Sequence, residues 1–188
     1  MRSGKRRKKE RPSRSLLFHI LIWALEIVFV VILAYGASRL FFRTVRVQDS
    51  SMEPTIAAGD VMLMDKIAYR FGSPGRGDLI AYRNTDEPTE SLHVKRIIGL
   101  PGETVQIVNG QILIDGETYV ENGEFPVIID PGAAAEPVAL QDDEYFVLGD
   151  NRNGSDDSRY ASAGNVRSKR IAGKVWFRIR PVTRIGGL

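Results

Sequence analysis

The chain has 188 residues, 43% of them hydrophobic and 26% charged, which leaves room for one folded domain with a small appendage and excludes a disordered polymer. It has no cysteine and only two histidines, His19 and His93, so disulfides, thiol nucleophiles, cysteine-bound zinc and multi-histidine metal centres are excluded. The net charge of +3 is unevenly placed: residues 1–15 carry eight Lys/Arg against one Glu, a net +7, and the remainder carries 18 basic against 22 acidic residues, a net −4. The basic character belongs to a tail, and the acidic remainder argues against a nucleic-acid partner.

After the tail come the 23 residues from Leu16 to Ser38, whose clearly polar members are His19, Glu26 and Ser38. As a helix this segment reaches about 34 Å, against roughly 30 Å of bilayer hydrocarbon. Glu26 near its middle costs on the order of 2.5–3.5 kcal/mol, which the surrounding Leu, Ile, Val and Phe offset. A buried soluble helix would have a polar face, and this segment has none. A cleaved secretory signal has a shorter apolar core, although Ala34, Gly36 and Ala37 supply small residues of the kind found at cleavage sites. The reading is an uncleaved transmembrane anchor over residues 16–38. Its flanking charge places the tail, residues 1–15, in the cytoplasm and residues 39–188 outside, with the lipid bilayer as a partner.

The remaining residues predict strands and turns. Arg43 to Val47, Val61 to Met64, Leu79 to Tyr82 and Leu92 to Ile98 are the first four candidates. Val105 to Val108, Gln111 to Ile114 and Glu117 to Val120 form a meander whose turns, Asn109-Gly110 and Asp115-Gly116, are strong hairpin signals. Tyr145 to Leu148 and Lys174 to Ile179 complete the set, and Pro126 to Pro137 reads as a loop. The expected fold class is mostly β: an antiparallel, barrel-like sheet domain behind one N-terminal transmembrane helix.

Three clusters hold the chemistry that this composition leaves: Asp49 to Thr55, His93 to Gly102, and Gly149 to Arg159. Each has a bland reading. A serine before a proline turn is usually only a turn, and a lysine in an apolar strand usually protects an edge or snorkels. A Gly/Asp/Asn/Ser-rich stretch is usually a loop. This one lacks the acidic spacing of a calcium-binding EF-hand and the spacing of a phosphate loop. Arg76-Gly77-Asp78 reads as a turn entering a strand.

Taken in order, the clusters carry a resemblance. Ser51-Met52 with Pro54-Thr55, then Arg76-Gly77-Asp78-Leu79-Ile80, then Lys95 to Gly102, then Gly149-Asp150-Asn151-Arg152 with Ser155 to Arg159 resemble the successive blocks of the bacterial type I signal peptidases. These are membrane serine peptidases of the serine–lysine, S26 type, which remove signal peptides from exported proteins. The likeness implies Ser51 as nucleophile and Lys95 as general base, with no metal and no cofactor. It implies that Ser155 and Ser158 hold the lysine amine in place and that Asp157 and Arg159 pair to fix their loop. Where some members carry a serine two residues before the nucleophile, this chain has Asp49, and where asparagine is common it has Gly154. Since a carboxylate would repel a developing oxyanion, Asp49 is expected to point elsewhere. That leaves the Ser51 N–H as the main oxyanion donor, with Ser50 or the Asp49 main chain as a second.

The implied chemistry makes a physical demand. A serine hydroxyl needs a base, and an ordinary lysine, titrating near 10.4, is charged at neutral pH. Keeping it neutral there disfavours the charged form by about 4 kcal/mol, which burial beside Val94, Ile97 and Ile98 can supply. The implied substrates are preprotein signal peptides with small residues at the first and third positions before the cut, in proximity to the secretion machinery and without nucleic acid. Met52, Met62, Met64, Trp176 and Phe177 are read as either core or a surface dipping into lipid. Three competing readings stay open. One is a Ser–His–Asp site using His93, the second is a self-cleaving serine–lysine regulator cut near Ala133 to Ala135, and the third is a tethered β module without catalysis.

Overall fold

A computed structural model describes residues 14–87 and 89–188. The basic tail expected over residues 1–15 lies outside the described residues except for the backbone of 14 and 15. Near residue 40 the chain divides into two compact units. The first is helix α1, Arg14–Phe41, whose 28 residues span about 42 Å. Its stretch Leu16–Phe41 is long and apolar enough to cross a membrane, and its large aliphatic and aromatic side chains are exposed.

The second unit is built from short strands: β1 (Phe42–Arg46), β2 (Val61–Asp65), β3 (Leu79–Tyr82), β4 (His93–Gly99), β5 (Thr104–Val108), β6 (Gln111–Ile114), β7 (Glu117–Thr118), β8 (Val138–Ala139), β9 (Glu144–Leu148), β10 (Val166–Arg167), β11 (Ile171–Arg180) and β12 (Gly186–Gly187). The larger sheet runs β1-β2-β11-β3-β4-β9-β10 with β12 beside β11, the smaller runs β7-β6-β5-β8, and every ladder is antiparallel. The larger sheet is a curled half-barrel, which bears out the expected class. Register shifts in β11 and at Ile97/Gly99 of β4 provide the bends, because an extra residue on one strand tightens the local twist.

Both predicted hairpins form. Asn109 and Gly110, and Asp115 and Gly116, all take positive φ (50°, 78°, 52° and 83°), the pattern of two-residue turns matched to strand twist. Three strands went unread in the sequence: β8, β10 and β12, each of two residues and too short to show a period.

Met52, Met62 and Met64 do not form a lipid-dipping surface. They are 0–1% exposed and pack with Val45, Val47, Ile56, Leu79 and Val175 in the core beneath the first strands. Trp176 alone of that group is exposed. The unbranched methionine side chain fills the gaps of an irregular core, which explains its use here.

Candidate serine–lysine site

The loop from β1 to β2 carries Ser51. One helical turn fixes it: Ile56 N–H donates to the Met52 carbonyl at 2.8 Å and Glu53 N–H to the Ser50 carbonyl at 3.1 Å. Below the turn, Asp60 is buried, accepts from Ala57 N–H at 3.1 Å and sits against Arg178 and Arg184 at 3.1 and 3.0 Å. The loop after β9 closes on the other side, where Asn151 N–H donates to the Ser51 carbonyl at 3.0 Å and Asn151 Nδ2 to the Ser50 carbonyl at 3.3 Å. Gly149 makes this closeness possible: a Cβ there would lie 2.4 Å from the Ser51 carbonyl oxygen and 2.2 Å from Ser155 Oγ.

Lys95 sits in mid-β4, opposite Ile80 of β3. Its Nζ donates to Ser51 Oγ at 2.6 Å, and the two residues are only 3% and 5% exposed. Among the described residues no carboxylate lies within salt-bridge distance of that amine. Burial lowers the lysine pKa, and Arg159 adds to the effect, while the charges of Asp49, Asp157 and Asp156 oppose it. The neighbouring Arg96 is committed elsewhere. It grips Asp150 through Nε at 2.8 Å and Nη2 at 2.7 Å, and donates to the Gly77 carbonyl at 3.0 Å.

The pair opens on a cleft of about 210 Å³ lined by Asp49, Ser50, Ser51, Tyr82, Asn84, His93, Lys95, Gly154 and Asp156. Two larger depressions, of about 290 and 350 Å³, lie away from Ser51 and Lys95. His93 lines the same cleft, but the hydroxyl of Ser51 is engaged by Lys95, which disfavours a Ser–His–Asp arrangement.

The other residues singled out in the sequence divide. Asp157 and Arg159 form a buried two-point pair, with Nε to Oδ1 at 2.8 Å and Nη2 to Oδ2 at 2.9 Å, and Asp157 also accepts the Gly149 N–H at 3.1 Å. Ser158 does not hold the lysine: its hydroxyl accepts from Val147 N–H and donates to the Gly164 carbonyl, both at 2.9 Å. That bonding ties its loop to β9, because a buried hydroxyl takes the nearest backbone groups. Ser155 Oγ is buried without a hydrogen-bond partner among the described residues, beside the Ser51 carbonyl. Ser50 contributes its carbonyl to the brace just described.

Asp49 corrects an expectation. Its carboxylate does not turn away; Oδ1 accepts the Ser51 N–H at 2.9 Å. Burial pushes this carboxyl up, but hydrogen bonds from the Ser51 side chain and backbone and the charges of Lys95 and His93 outweigh burial and leave it below its usual value. A short Asx turn favours this bond, since the side chain of residue i reaches the N–H of i+2 without strain. That local preference overrides the repulsion argument, which applies only once an oxyanion is present.

Tyr82, Asn84 and Asp156 were missed as cleft residues. Tyr82 stands on β3 and Asn84 in the turn after it, brought to Lys95 by the antiparallel β3–β4 ladder, and Asp156 comes from the loop after β9, a strand that pairs with β4. The segment suspected of self-cleavage is unsuited to it. Gly132–Ala135 is a 3₁₀ turn with Ala134 fully buried, and Ala133 N–H is bound to the Arg159 carbonyl at 2.8 Å.

Residues 20–180 match the sequence family described as signal peptidase, peptidase S26. The probable signal peptidase I-2 of Synechocystis sp. is 35% identical over 184 residues, covering 96% of this chain and 81% of its own. The signal peptidase I of Leptolyngbya laminosa is 37% identical over 164 residues, covering 84% and 78% respectively. That of Bacillus amyloliquefaciens is 34% identical over 185 residues, covering 95% and 97%.

Proposed function

The chain belongs to the signal peptidase family, peptidase S26, and from that premise we propose that Ser51 and Lys95 cut signal peptides from exported preproteins through an acyl-enzyme. The enzyme class follows from kinship, since relatives matched over most of both chains bear the name signal peptidase I. The residue roles rest on one observation above all, a buried amine 2.6 Å from a serine hydroxyl.

The chemistry begins with Lys95 uncharged, when the hydrogen bond reverses and Ser51 Oγ–H donates to Nζ. The amine takes that proton as Oγ attacks the scissile carbonyl carbon. Negative charge collects on the carbonyl oxygen, which the Ser51 N–H receives. The tetrahedral adduct collapses, the C–N bond breaks, and Lys95 returns the proton to the departing amine of the mature protein. The signal peptide is left esterified to Ser51. Water then attacks the ester carbonyl as it gives a proton to the again neutral Lys95. The bond from that carbon to Ser51 Oγ breaks, Lys95 returns the proton to Oγ, and the signal peptide leaves with a free C-terminal carboxyl group.

The preferred substrate has small residues at the first and third positions before the cut, presented as an extended segment along the cleft. Residues 1–15 form a cytoplasmic tail, residues 16–38 the anchor in the cell membrane and residues 39–188 an extracytoplasmic catalytic domain. Lys/Arg bias supports that orientation. Mixing detergent-purified protein with a secretory precursor tests the reading. The wild type yields a mature product with a new N-terminus, and Ser51→Ala and Lys95→Ala yield none at the same concentration. Equal cleavage by either variant would refute the dyad.

A further inference from the structure

The Ser51 N–H has an occupant before any substrate arrives. Asp49 Oδ1 lies 2.9 Å from that nitrogen, within the 2.7–3.1 Å expected between an oxyanion and its donor. A carboxylate oxygen has the charge and size of the oxyanion that the reaction creates. One N–H cannot serve both, and two anionic oxygens cannot share its position. Asp49 is exposed and lines the cleft, whereas Ser51 and Lys95 are buried. We propose that the Asp49 carboxylate fills the oxyanion position of the resting enzyme and must be displaced by the scissile carbonyl, which makes Asp49 a positioning residue that restrains turnover. This inference rests on Ser51 being the nucleophile.

Asp49 restrains the reaction by a second route. Its negative charge favours the protonated form of Lys95, the form that cannot act as base. The charged and titratable groups around the two are Lys95 and His93 of β4, Tyr82 of β3, and Asp156, Asp157 and Arg159 of the loop after β9. Removing the carboxylate therefore frees a donor and lets Lys95 lose its proton at lower pH.

The experiment measures kcat/KM against pH for the full-length enzyme in detergent, with a preprotein substrate. Asp49→Ala is expected to raise the plateau value by about threefold to tenfold, the worth of one competing hydrogen bond. Its acid limb moves to lower pH. Asp49→Asn keeps an acceptor of the same shape without the charge and moves the acid limb in the same direction, and this shift persists in a His93→Gln background. A plateau that falls or stays level in Asp49→Ala, or an acid limb that stays in place in both variants, would overturn the proposal and leave Asp49 as a brace for its turn. If thermal melting shows Asp49→Ala to be misfolded, the acid limb of Asp49→Asn decides. Ser51→Ala and Lys95→Ala run alongside: residual cleavage there counts against the dyad itself, whatever Asp49 does.

Discussion

Two sides of the loop after β9 treat buried cations in opposite ways. On its outer side the guanidiniums are matched, half-buried Arg96 of β4 with Asp150, and buried Arg152 with Glu121 and Arg159 with Asp157, all at 2.6–2.8 Å. On its inner side Lys95 is as buried as Arg152 and Arg159 to within a few per cent, yet its neighbour is a neutral hydroxyl. Matched charges stay charged and lock the backbone in place. An unmatched amine is pushed toward its neutral form, and only that form can accept a proton. The contrast extends to adjacent residues of one strand, Lys95 and Arg96, whose side chains leave opposite faces of the sheet.

The largest effect should come from removing the unmatched amine. Lys95→Met should cut kcat/KM by about 10²- to 10⁴-fold, measured on a preprotein, while the denaturation midpoint holds or rises because no buried charge is lost. If the midpoint instead collapsed, the lysine would be structural. Breaking a matched pair should do the reverse. Asp157→Asn strands the Arg159 charge and should lower unfolding free energy by about 3–5 kcal/mol in chemical denaturation.

A smaller effect lies in pH. Lys95 titrates below its ordinary value in the folded chain, so between the two values the unfolded chain binds more protons and stability increases with pH. Activity increases with pH through the lowered value as the amine deprotonates. Lys95→Met should flatten the rise in stability across that window. The smallest effect belongs to the exposed cluster of Asp86 with Lys169 and Arg170. Lys169→Ala should leave the melting temperature within measurement scatter, because exposed pairs are screened by water.

Much of the fold was legible because it is written in local patterns. Leu79–Tyr82 and Gln111–Ile114 were read to the residue. The Asn-Gly and Asp-Gly turns marked their hairpins through the two backbone conformations they require. The apolar run after the tail marked a helix long and apolar enough to cross a membrane. Strands of two residues left no period to read, and the methionines were ambiguous because an apolar side chain looks the same whether it faces a core or a lipid surface.

The site was legible in its parts and not in its contacts. Chain composition alone limited the chemistry to serine, lysine and carboxylates, since cysteine is absent and one histidine lies in the apolar helix. Ser51 and Lys95, 44 positions apart, meet only because β3, β4 and the β1–β2 loop fold against one another. The destination of the Ser158 hydroxyl was likewise settled by tertiary structure, whereas the closure of Asp49 on the Ser51 N–H is a local turn two residues long. Residue identity determines which groups can lose or accept a proton. Burial and partners determine which of them do, because a charge is stabilised or suppressed by the atoms within a few ångströms of it, and those atoms arrive from distant parts of the chain.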